Sequence, residues 1–94
     1  MSADYKLFDN KDKQQYEFHI DGYIPKIEYT KSGNDTIYLK HAEVPAALEG
    51  KGIGSELVKK ALTDIENQNL RVIPVCPFID AYIQRHPEWK HLII

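Results

Sequence analysis

The chain has a single cysteine, Cys76, so no internal disulfide can brace it and its stability must come from packing. That usage fits a reducing compartment. No apolar run approaches the roughly 20 residues of a membrane span, and the start Met1-Ser2-Ala3-Asp4-Tyr5 lacks the basic-then-apolar order of a secretory leader. A cytoplasmic protein is expected. Charge of one sign is also missing: 12 Lys and Arg stand against 14 Asp and Glu, a formal net charge of −2. This balance exerts no sequence-wide pull on nucleic acid or anionic membrane, so neither is expected as a partner. His19, His86 and His91 make no ligand spacing with one another or with Cys76, which argues against a metal site.

What is present is an ordinary globular composition, 43% hydrophobic and 28% charged over 94 residues. That length supports one core, so a single domain over residues 1–94 is expected, with no room for separate catalytic and cofactor domains. The first half predicts four strands in a meander: Tyr5–Phe8, Gln15–Ile20, Tyr23–Lys31 and Thr36–Val44, with Asp9 to Lys13, Asp21-Gly22 and Ser32 to Asp35 as turns. The period then changes. Ile53, Leu57, Val58, Ala61, Leu62 and Ile65 fall at helical spacing with polar residues between them, and Asn67-Gln68-Asn69 closes that helix. Leu70–Val75 predicts a buried strand, Pro77 opens a shorter helix through about Arg85, and Trp89 to Ile94 forms a tail against the sheet edge. The fold class is therefore α+β, a mostly antiparallel sheet with one long and one short helix.

Between the fourth strand and the long helix stands Glu49-Gly50-Lys51-Gly52-Ile53-Gly54. A strand, a glycine-rich turn and a helix in that order make an anion site, because the first helical amides lack intrahelical acceptors and point beyond the terminus. The plain alternative is an ordinary glycine loop. Two nucleotide motifs fail on spacing: the only Gly-Lys is followed by Gly52 rather than a hydroxyl residue, and Ser55 stands where a dinucleotide fingerprint needs its third glycine.

The segment resembles the signature of the GNAT superfamily of acetyl-CoA-dependent N-acetyltransferases, Arg or Gln, two residues, Gly, one residue, then Gly or Ala. It matches from the second position onward, flanked by Val44-Pro45-Ala46-Ala47-Leu48 and Ser55-Glu56-Leu57-Val58. It is also similar to a small single-domain subgroup with Glu-Val-Pro and Cys-Pro-Phe segments. The resemblance implies a minimal fold of that kind, acetyl-CoA as cofactor, and an unidentified amine as acceptor. Val44, Leu48, Gly50, Lys51, Gly52, Ile53, Gly54 and Ser55 would line the cofactor. Glu49 departs from the pattern, since a carboxylate aimed at phosphate is repelled; the binding then falls to backbone amides. The two helices that shape the acceptor pocket of full-size members have no room here.

Amide formation needs a neutral amine, a stabilised oxyanion and a proton for the leaving thiolate. Tyr82 matches the family's tyrosine, which supplies that proton; otherwise it is a core residue beside Phe78 and Ile79. Cys76, at the end of the fifth strand and ahead of a helix, is a candidate nucleophile or else a small buried hydrophobe. His41 and Glu43 share a strand face and could take a proton from the amine, or be solvated surface. The leading expectation is an N-acetyltransferase acting on a small molecule or protein, as a monomer or weak homodimer. The alternative is a CoA or acyl-CoA-binding sensor or interaction module without turnover.

Overall fold

The computed structural model describes residues 4–94. Among them, five strands form one sheet in the order β1-β2-β3-β4-β5: Phe8–Asn10, Gln15–Glu17, Lys26–Ser32, Thr36–Glu43 and Arg71–Pro74. The first four pair antiparallel, and β5 joins β4 in parallel. A parallel neighbour requires a crossover, which α1 (Ile53–Asn67) supplies. The second helix, α2 (Pro77–Arg85), follows β5, and a 3-10 segment, Pro87–Leu92, leads to the end. The α+β reading holds.

Side-chain alternation puts Tyr16, Ile27, Tyr29, Ile37, Leu39 and Val72 on one face, where they join the buried stripes of both helices in one core. In α1 the stripe is Ile53, Leu57, Val58, Ala61, Leu62 and Ile65, the residues at helical spacing in the sequence. Asn69, in the left-handed region at φ 59°, ends α1. Its amide bonds the Glu66 carbonyl and that of Leu70 bonds Ile65, a paired 6→1 and 5→2 closure with buried Leu70 over Ile65. The other face of the sheet is polar and carries Gln15, Glu17, Lys26, Glu28, His41 and Glu43.

The strand bounds differ from expectation near the start. The first strand is Phe8–Asn10 rather than Tyr5–Phe8, because Asp9 and Asn10 find partners that a turn would not give them. Asp9 accepts the Tyr29 hydroxyl at 2.5 Å, and Asn10 donates to Glu17 at 2.9 Å. The third strand starts at Lys26 rather than Tyr23. Asp21 and Gly22, both at positive φ, make a two-residue turn in which Ile20 and Tyr23 exchange backbone hydrogen bonds, and Pro25 cannot donate to the ladder. The tail behaves as expected: Ile93 bridges to Val72 in parallel, the Ile94 amide bonds the Val72 carbonyl, and Arg71 caps the Leu92 and Ile93 carbonyls.

Two phenols tie the meander together and to α1. Tyr16, fully buried, donates to Asp64 at 2.8 Å, and Tyr29 donates to Asp9. Burial first, and then the accepting carboxylates, raise both phenols above their ordinary pKa. In the unfolded chain they ionise near pH 10, while in the fold they stay protonated. Their contribution is complete below that pH and is lost as pH rises above it. The melting temperature is expected to fall between pH 9 and 11, and Tyr16→Phe should be less stable at pH 7 yet flatten that fall; an unchanged slope in the variant refutes the assignment.

Candidate functional site

β4 and β5 stay paired only from Thr36↔Arg71 to Leu39↔Pro74. Pro74 has no amide to carry the ladder on, and the Val75 amide folds back to the Ile73 carbonyl at 3.1 Å. Cys76 then makes the last link, its amide donating to the Leu39 carbonyl at 3.0 Å. On β4 the register with β3 slips after Glu28↔His41, since Tyr29 pairs with Leu39 and leaves Lys40 as a bulge. Beyond this point β4 continues to Glu43 without β5 beside it. The strands form a fork, and its open arm leads through Val44 and Pro45 into the glycine segment.

A 3-10 turn, Ala46–Leu48, reverses the chain and buries Leu48 in the core, with the Glu49 amide bonded to the Ala46 carbonyl. Gly50 and Gly52 lie in the left-handed region at φ 79° and 75°, and nothing lies within 4 Å of where a Cβ would stand on either. They are therefore required by backbone conformation, and the space around them is open. Gly52 is the N-cap of α1 and offers no side-chain cap; the first helical bond runs from the Glu56 amide to its carbonyl. The amides ahead of Glu56 have no acceptor inside the helix and face outward from its positive end. Lys51 and Ser55 are exposed there, while Ile53 is buried, so it offers the loop backbone rather than side chain. Gly54 is different: a Cβ on it would meet Phe78 Cζ at 3.2 Å and Val44 Cγ2 at 3.3 Å.

The side chains singled out in the sequence fall into two environments. Cys76, the N-cap of α2, is 5% exposed and belongs to the core cluster. Tyr82 is 4% exposed and its ring stacks on His86 at 4.1 Å. Burial pushes its phenol above the ordinary pKa, and the Glu88 and Glu56 carboxylates add to this against a smaller opposing hydrogen bond from Trp89. It is held as a protonated donor. His41 and Glu43 lie on the polar face just past the bulge, both more than half exposed and 3.7 Å from each other. Lys60 is engaged with Asp4 and the Tyr5 carbonyl, and Arg71 with the tail, so neither is a free cation at the fork.

Two residues go beyond the sequence reading. Glu28 stands opposite His41, a second carboxylate at the bulge that only the hairpin register reveals. Phe78 is 42% exposed instead of sharing the core with Ile79 and Tyr82. The signal was its place on the flank of the Ile79, Tyr82, Ile83 stripe.

A family profile described as GCN5-related N-acetyl-transferase matches residues 15–92, most of the chain and all of the fork. The chain belongs to the GCN5-related N-acetyltransferase family. Among curated proteins it is similar to Protein NATD1 of Xenopus tropicalis, 26% identical over 93 residues, spanning 97% of this chain and 85% of that protein. It is 33% identical to human Protein NATD1 over 64 residues, 68% of this chain and 57% of that one. The fold matches that of a GCN5-like protein of Staphylococcus aureus solved by NMR, with a TM-score of 0.74 at 19% identity, covering 99% of this chain and 91% of the other.

In this member of the GCN5-related N-acetyltransferase family, the left-handed glycines give a direct test of the loop. Gly52→Ala adds no clash but forces a Cβ into the left-handed region, which costs about 1–2 kcal/mol. Urea unfolding should show a lower midpoint at an unchanged m-value. A neutral substitution would mean that the loop does not hold this conformation.

Proposed function

We propose that the domain binds acetyl-CoA along the fork between β4 and β5 and transfers the acetyl group to an amine of a small molecule or protein. One observation carries the reading: the left-handed Gly50 and Gly52, with open space around them, stand at the uncapped start of α1 directly beside the fork. A pyrophosphate suits this place, because it wants several backbone donors, close approach and the positive end of a helix. The amides of Gly50, Lys51, Gly52, Ile53, Gly54 and Ser55 would bind it. Val44 and Leu48 would fix the strand end that leads into the loop, while Glu49 turns away.

Bound acetyl-CoA supplies an activated acyl group for attack by an amine. The chain's own residues have the remaining work. Tyr82, kept protonated by its surroundings, would donate from Oη to the departing sulfur. His41 and Glu43, exposed past the bulge with Glu28 opposite, would take the proton from the incoming ammonium directly or through water. The low exposure of Cys76 favours direct transfer over a route through acetylated Cys76. A second reading, a CoA-binding module without turnover, draws support from the burial of both Cys76 and Tyr82.

Acetyl-CoA at about 100 times its Kd should stabilise the fold by about 2.7 kcal/mol and raise Tm by roughly 10 °C or more. No shift at millimolar acetyl-CoA removes both readings. With binding established, Tyr82→Phe should lower kcat by about 100-fold or more toward lysine peptides or polyamines while leaving the Kd for acetyl-CoA in place. A protein that binds but acetylates none of these amines is the module.

A further inference from the structure

Three separate segments meet over Gly54: the end of β4 through Val44, the first turn of α1, and the first turn of α2 through Phe78. A Cβ on Gly54 would lie 3.2 Å from Phe78 Cζ, 3.5 Å from its Cε2 and 3.3 Å from Val44 Cγ2, so the ring rests on the glycine with the valine beside it. Gly54 is the one glycine of the loop whose vacancy is used for packing, since Gly50 and Gly52 meet nothing within 4 Å. The ring therefore spans from α2 to the glycine segment across the mouth of the fork. It does so while remaining 42% exposed, outside the buried stripe of its own helix.

The geometry points to Phe78 as the gate of the fork: its ring closes the gap between the end of β4 and α2 in the free protein and must swing outward to admit the cofactor's extended arm. The inference rests on the acetyl-CoA reading above. Its backbone cannot move cheaply, because Pro77 fixes the helix start, the Asp80 amide bonds the Cys76 carbonyl, and the Cys76 amide is tied to Leu39. The side chain has solvent on one side, so the motion needed is a rotamer change. A binding-competent state that is populated for only a fraction of the time weakens apparent affinity by that fraction. A ring resting on Gly54 for about nine-tenths of the time costs about tenfold. The same ring would keep water from an empty fork.

Phe78→Ala and Phe78→Leu test this in the full chain, with CoA as the probe, calorimetry for Kd, and NMR of the Gly54 Hα protons in the free proteins. Circular dichroism melts check that each variant folds, and the leucine retains an apolar side chain if alanine does not. The expected result is a roughly tenfold tighter Kd for Phe78→Ala, an intermediate one for Phe78→Leu, and a ring-current shift on Gly54 in wild type that both variants lose. CoA should also abolish that shift in wild type. If wild type binds and the variants bind equally or more weakly, the gate is wrong while the cofactor reading stands. If only the variants bind, the gate is confirmed in its tightest form. If none binds, both fall.

Discussion

The whole candidate site depends on where β4 and β5 stop pairing. The parallel ladder is held from Thr36 to Leu39, then Pro74 withholds an amide, Val75 turns back on Ile73, and Cys76 places the last bond on Leu39. At the same level Lys40 bulges out of the β3 pairing, so β4 changes direction just as its neighbour leaves. A fully paired sheet would have no opening between its last two strands. Here an opening is built by one proline and one extra residue, and the glycine segment and α2 start on its two sides.

The opening is tolerated because the rest of the sheet is tied down without a disulfide. Tyr16 reaches across to Asp64 on α1, Tyr29 reaches Asp9 on β1, and Glu17 is 5% exposed with His19, Gln15 and Asn10 as donors. Burial alone would raise the Glu17 pKa; the three hydrogen bonds outweigh it and hold the carboxylate below its usual range. Among the described residues no buried side-chain polar atom lacks a partner. The satisfied polar groups hold the meander in register, and so hold Glu28 opposite His41 at the edge of the fork.

The helices were legible because their signal is periodic and local. The α1 stripe, its Asn69 stop and the Pro77 start of α2 all follow from residues close in sequence. The first strand was displaced because Asp9 and Asn10 look like turn residues until their partners, Tyr29 and Glu17, are brought across the sheet. The site divides the same way. Gly50 and Gly52 declare a special backbone by their identity, whereas the burial of Cys76 and Tyr82, the carboxylate of Glu28 and the ring of Phe78 acquire meaning only from what lies against them.

By itself the sequence determined the fold class, the long amphipathic helix and the backbone-led glycine turn, since periodicity and the steric freedom of glycine act over a few residues. Tertiary structure alone decided the width and position of the fork. The bulge depends on the register of β4 against β3, and the lost strand pair on that of β4 against β5, whose last partners, Leu39 and Pro74, are far apart in the chain. It also decided that Phe78 rests on Gly54, because that contact joins two helix starts that no local pattern connects.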